Sequence, residues 1–322
     1  MCFFTGPYSG GVVVLDAAGS SAALPAFGLS EVFTAWRLDP LLTVVTVWVA
    51  GLYLYGVWRL HERGDRWPVL RTVSFVLPGM GGLFFATSSG LGTYDTTLLS
   101  VHMVQHMILS MMVPLFLALG APVTLMLRTL PPAPRRGLLT LLHSRLAQVL
   151  SFPPLTFLLF VLSPWALYFS GWYDASLRSV FVHEMMHLHL VLVGSLFFWP
   201  LVGTDPVPGR LPYPFRMLTI VLTLPFHAFL GVTIMGQQEL IAGDWYRSLP
   251  MGWLPDPAHD QHLAGGILWG TGDLVGLLFM TVLFVQWVRA SQREAQREDR
   301  RLDRLEALHA RQAQKAPGDP AR

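Results

Sequence analysis

The 322-residue chain is 52% hydrophobic and 13% charged, with a formal net charge of +2 and a mean hydropathy of +0.47. That balance excludes an ordinary soluble domain and points to a polytopic membrane protein. No stretch combines a basic patch with interleaved aromatics, which removes nucleic acid as a partner. A lone cysteine, Cys2, removes internal disulfides and C-x-x-C clamps.

Residues 1–35 hold one short apolar patch, Val12 to Leu15, and no basic region ahead of it. That is a poor signal peptide, and the stretch reads as a loose extracytoplasmic tail. From 36 to 288 the chain reads as one all-α membrane domain. A span needs about 20 mostly apolar residues, and seven stretches qualify: 38–58, 69–89, 98–119, 149–170, 179–202, 215–237 and 262–287. Pro78, Pro114, Pro164, Pro200 and Pro225 interrupt them, which a bundle tolerates where neighbours re-satisfy the freed carbonyls. Between the third and fourth stretches, the prolines at 131, 132 and 134 followed by RRGLLTLLHSRLAQ predict a turn and an interfacial amphipathic helix. Residues 289–322 form a charged tail with the alternation of a solvated helix.

Basic residues set the orientation. Arg59, Arg63, Arg66 and Arg71 fall in the first link, and Arg128, Arg135, Arg136 and Arg145 in the third. Arg210 and Arg216 fall in the fifth, and the tail adds nine more, so all but Arg37, Arg178 and Arg247 of the 22 Lys and Arg lie on one side. The N-terminus is therefore expected outside and the C-terminus in the cytoplasm, across a bacterial plasma membrane. The outer links hold acids, Asp39, Asp95 and Asp260 among them, and an acidic face favours arriving cations.

The sequence Phe181 to Leu190, FVHEMMHLHL, opens the fifth span. His183 and His187 are four apart and share a helix face. The third span carries His102 and His106 at the same spacing, and His262 stands at the mouth of the seventh beside Asp260. With a rise of about 1.5 Å per residue, the two pairs sit at matched depth from the outer end. That is the placement facing metal ligands require. His189 falls off the face, and Met103, Met107, Met111 and Met112 are either packing or auxiliary ligands. His227 and Asp273 sit deeper, as a candidate polar pair; an ionised Asp at mid-membrane is expensive unless paired or hydrated.

Three chemistries remain open. His183-Glu184-Met185-Met186-His187 is an H-E-x-x-H pattern, which in zinc proteases supplies two ligands and a base; His102, His106 or Asp273 could supply the third ligand, but no strand-like substrate clamp is evident. Haem would need axial histidines on opposed helices; i, i+4 pairs on one helix do not give that, although the third and fifth spans could each contribute one. Copper agrees best with imidazole and thioether donors at an acidic outer entrance without thiols.

The ordered set Leu38-Asp39-Pro40, HMVQHMILSMMVPLFLALGAPVTLMLR at 102–128, FFWPLVGTDP after the fifth span, AFLGVTIM at 228–235 and DQHLAGGILWGTGDL at 260–274 resembles the CtaG-type cytochrome c oxidase assembly factor family. The resemblance covers about 36–288. It implies a non-enzymatic seven-span membrane protein that supports maturation of the oxidase copper centre. Its partners would be cytochrome c oxidase subunits and extracytoplasmic copper chaperones. Carried over by position, it implicates His102, His106, His183, His187, Asp260 and His262 as metal-site residues.

Overall fold

A computed structural model describes the backbone at residues 14–15, 21–22 and 24–315, with side chains described from Leu24 to His309. Among the described residues the regular structure is helical, apart from a two-residue antiparallel pairing of Val14–Leu15 with Ser21–Ala22. Among the described residues, six helices are long and apolar enough to cross a membrane. They are Pro40–Glu62, Val69–Tyr94, Leu99–Thr129, Val180–Val202, Tyr213–Gly236 and the membrane part of Pro257–Lys315. These are the first, second, third, fifth, sixth and seventh segments below.

The fourth expected span is different. Pro153–Phe169 is 17 residues long and bends by 64° into Trp172–Arg178. Pro153 and Pro154 fix its start. Its end comes at Ser170, whose backbone is extended, followed by Gly171. It reaches spanning length only together with that bent continuation. The expected interfacial helix is present as two short pieces, Pro132–Leu142 and Arg145–Leu150, and the charged tail continues the seventh helix without a break.

Local chemistry sets the ends. Asp39 caps the first segment by accepting from Leu42 N at 2.8 Å, with Pro40 in the first turn. Ser179 caps the fifth, which stops where Gly203 takes the left-handed conformation at φ 64°. The third segment begins without a local side-chain cap. Asp260 supplies one from the seventh, taking Leu99 N at 2.7 Å, Ser100 N at 3.3 Å and the Ser100 hydroxyl. At the other end of the bundle Asp205 does the same for Pro122–Thr129, accepting from Val123 N at 3.2 Å, Thr124 N at 2.7 Å and Trp199 Nε1 at 3.0 Å. Each carboxylate satisfies orphan N–H groups and meets the positive end of a helix dipole.

The third segment is the axis, 61% buried over its most apolar stretch against 17% for the first. Pro114 lacks an N–H, so the Ser110 carbonyl one turn back has no helical donor, and the chain adopts a π-helical turn at Ile108–Met112. That carbonyl lies against Gly194 of the fifth segment, where a Cβ would stand 2.1 Å away. Gly231 and Gly265 bring the sixth and seventh segments together in the same way, each facing the other's carbonyl.

Residues from Leu24 onward pack against the helices at the Tyr94 end of the bundle. Leu24, Leu91, Tyr94, Leu98 and Val101 form a small core of their own. Tyr94 donates to Pro25 O at 2.9 Å, and Trp253 Nε1 to Leu24 O at 2.8 Å. Helix Leu29–Thr34 presses on Gly90.

Gly194→Ala is expected to push the third and fifth segments apart and lower stability by about 1–3 kcal/mol. Gly51→Ala, with nothing within 4 Å of the new carbon, is expected to leave the thermal midpoint in detergent unchanged or slightly raised.

Candidate metal site

Asp95 lies just past the end of the second segment, and its carboxylate is 5% exposed. Oδ2 lies 2.9 Å from His183 Nε2, 3.8 Å from His187 Nε2 and 3.0 Å from Gln105 Nε2. Gln105 also donates to Ala86 O at 3.0 Å. Those two acceptors fix which end of the amide carries hydrogen, so its Oε1 faces His187 Nε2 at 3.2 Å. One carboxylate oxygen and two imidazole nitrogens, from Asp95, His183 and His187, fall within 4.8 Å of one another. This is the spacing of donors that could share one ion.

Local helix geometry explains the histidines. Their i, i+4 spacing on Val180–Val202 stacks the rings edge to face at 4.5 Å, with both turned inward toward the third segment. No Lys or Arg pairs with Asp95 among the described residues, although Arg37 and Arg178 line the same cavity. Burial favours the neutral acid, but His183, His187 and His102 outweigh it and hold the carboxyl down at about 2. Among the described residues, imidazoles are the only groups paired with this anion that can carry a positive charge. A proton on either ring, or a metal ion, is the charge it lacks.

Two further buried atoms have no hydrogen-bond partner, Nδ1 of His183 and Nδ1 of His187. If each ring gives up its Nε2 proton to bind an ion, Nδ1 is free to carry it. The donor set therefore fits a borderline cation such as Cu(II) or Zn(II). Thioether sulfur is not part of it: Met103 Sδ accepts from Tyr168 OH at 3.5 Å, and Met186 is buried in the core.

A cavity of about 700 Å³ leads to the cluster, lined by Asp39, Asp95, Arg178, His183, Glu184 and His187 among others. Burial and the neighbouring Glu184 both raise the Asp39 carboxyl above the ordinary carboxylate range.

The other sequence-predicted residues are placed as follows. His102 is fully buried beside Tyr173, ring centroids 4.8 Å apart, and neither of its nitrogens is bonded. His106 Nδ1 lies 2.5 Å from Tyr168 OH. Asp260 serves the third segment's N-terminus and stands apart from the Asp95 group. His262 is exposed, and its Nδ1 lies 3.4 Å from Met235 O. His227 meets Thr223 O at 3.3 Å and Asp273 accepts from Trp269 Nε1 at 2.9 Å, so the two are not hydrogen-bonded to each other. His189 bonds Ser163 on the fourth segment, away from the site.

Asp95 and Gln105 were not singled out by the sequence. Asp95 read only as one more acid of the outer face. Gln105 was hidden between His102 and His106.

The model of the cytochrome c oxidase caa3 assembly factor family (Caa3_CtaG) matches residues 51–290. Proteins described as uncharacterized from Mycobacterium bovis and Mycobacterium tuberculosis are each 41% identical over 282 residues, covering 85% of this chain and 42% of theirs. One from Mycobacterium leprae is 40% identical over 278 residues, covering 84% of this chain and 42% of its own length. The chain thus spans well under half the length of these curated relatives. No solved structure matches it.

Asp260→Ala, which uncaps the third segment, is expected to cost about 1–3 kcal/mol while leaving bound-metal stoichiometry unchanged. Thermal unfolding and metal analysis of the same sample check both. Metal loss at unaltered stability would put Asp260 at the ion instead.

Proposed function

The chain belongs to the cytochrome c oxidase caa3 assembly factor family, and from that premise we propose that it holds copper between Asp95, His183 and His187 and supplies it to the oxidase during assembly. The observation that carries the reading is the buried three-donor group at the end of the cavity. Ion and carboxylate solve each other's problem there. Asp95 lacks a fixed cationic partner, and the two rings present nitrogen toward it.

In the same reading the chain crosses the bacterial cytoplasmic membrane seven times, the bent fourth segment counting as one span. The arginine-rich links and tail face the cytoplasm, and the cavity opens outside. Oxidase subunits receive the copper, and extracytoplasmic chaperones deliver it. The role is non-catalytic. His102, with both ring nitrogens unbonded, is the reserve imidazole for a fourth position on the ion. His106 is held by Tyr168.

A zinc hydrolase is the competing reading, since Asp95 provides the third ligand that H-E-x-x-H requires. Glu184 argues against it. Its Oε2 lies 3.9 Å from His187 Nδ1, the ring nitrogen turned away from Asp95, rather than over the place a metal-bound water would occupy. Processing of a membrane substrate that stops in Glu184→Gln would favour the hydrolase.

The test is metal analysis of full-length protein loaded with copper and desalted. Wild type is expected to retain one tightly held equivalent. Asp95→Asn, His183→Ala and His187→Ala are each expected to lose at least about tenfold in affinity and to fail to restore oxidase activity in a deletion strain. Wild-type protein that retains no copper contradicts the reading.

A further inference from the structure

We propose that the arginine-rich end of the bundle carries a site for a phosphate group, formed by Arg210 and Arg216 where the fifth and sixth segments meet. It lies at the far end of the fifth segment from His183 and stands independently of the metal reading.

Arg216 sits in the first turn of the sixth segment, Tyr213–Gly236, and is 3% exposed. Its Nε donates to Leu211 O at 2.6 Å and its Nη1 to Leu201 O at 3.2 Å. The guanidinium carbon stands 4.6 Å from the centroid of the Tyr213 ring. Arg210 reaches the same spot from the loop ahead of the helix. A Cβ built on Gly203 would lie 2.6 Å from Arg216 Nη1 and 3.0 Å from Arg210 Nε. Two guanidinium groups therefore lie side by side against one backbone position.

Helix capping accounts for only one of them. The fifth segment ends at Gly203, and a cation bonded to its last carbonyls is favourable there. Arg216 does this through Leu201 O. Arg210 then brings a like charge up against the first. Arg216 also stands at the wrong end of its own helix, because a first turn favours anions and this one holds no acid.

No carboxylate relieves the pair. Among the described residues the ion-paired arginines are Arg128, Arg178 and Arg301. Asp205, the nearest acid along the chain, is committed to Val123, Thr124 and Trp199. Arg216 Nη2 donates to no described residue and is not sealed from solvent. Arg210 is exposed, and its whole guanidinium is unused.

These free donors call for an anion with several acceptor oxygens. Arginine holds phosphate through parallel N–H···O bonds, and basic pockets between helices at a cytoplasmic membrane face take anionic lipid headgroups. The pair lies where the sixth segment enters the apolar layer, so a phospholipid phosphate is the source available at that depth. Inorganic phosphate offers the same oxygens from solution.

The test is thermal unfolding of the full chain in uncharged detergent, with phosphatidylglycerol, phosphatidylcholine or inorganic phosphate titrated in turn. Phosphatidylglycerol is expected to raise the wild-type midpoint by about 3 °C or more at saturation. Arg210→Gln removes no hydrogen bond of the fold. It is expected to keep the lipid-free midpoint and to need at least about tenfold more lipid for the same rise. Arg300→Gln, which removes one charge from the exposed tail, is expected to respond as wild type does.

A rise with phosphatidylglycerol alone supports the site with a lipid as its source. A rise with inorganic phosphate at matched ionic strength, lost in Arg210→Gln, supports it with the free anion. No rise with either, or an equal rise with phosphatidylcholine, overturns the site. So does an equal loss of response in Arg210→Gln and Arg300→Gln, which would make the effect one of overall charge.

Discussion

Asp95 is a carboxylate removed from water with no arginine or lysine paired to it among the described residues, and the half of the molecule that holds His183 and His187 is arranged around that fact. An ionised group in such a place is costly unless hydrogen bonds and a nearby positive charge compensate it. Gln105 and His183 supply the hydrogen bonds at 3.0 and 2.9 Å. The charge must come from a proton on an imidazole or from a metal ion. A site built this way is stable in either state and can exchange one cation for the other. That is the property the proposed copper-delivery role would require.

Holding this arrangement requires the third segment to stay fixed against the fifth. Three features do so, each with a separate physical cause. The Asp260 carboxylate anchors the segment's N-terminus from the seventh helix, and Asp205 anchors the helix that follows it at the opposite end. Between them, Pro114 frees the Ser110 carbonyl, and Gly194 lets the fifth segment close on it. Gln105 lies one turn outward from that contact, so its amide reaches Asp95 and His187 at once. The glycine contacts serve the site by setting the distance between the helices that carry it.

The helical architecture and His183 with His187 were legible in the sequence, because apolar runs and an i, i+4 spacing are local properties. The spanning length of the fourth segment was less so. Residues 149–170 are apolar throughout, and only the Ser170-Gly171 break shows that the helix stops at Phe169 and turns. Asp95 was out of reach for a different reason. Its partner His183 is 88 residues away, and nothing in GTYDTTLLS distinguishes it from the other outer acids. Asp260 illustrates the converse. Its place beside His262 suggested a ligand, yet its role is decided by the uncapped helix start opposite, which no spacing reveals. Glu184 changed in meaning. In the motif it reads as a catalytic base, while in space its Oε2 faces His187 Nδ1 at 3.9 Å.

X-ray absorption at the metal edge of the loaded full-length protein examines the ion's immediate surroundings most directly. The arrangement of Asp95, His183 and His187 predicts a shell of nitrogen and oxygen near about 2.0 Å, with the outer-shell scattering of two imidazoles and no sulfur. A sulfur shell near about 2.3 Å, or a spectrum without imidazole scattering, would contradict it and move the ion to other residues.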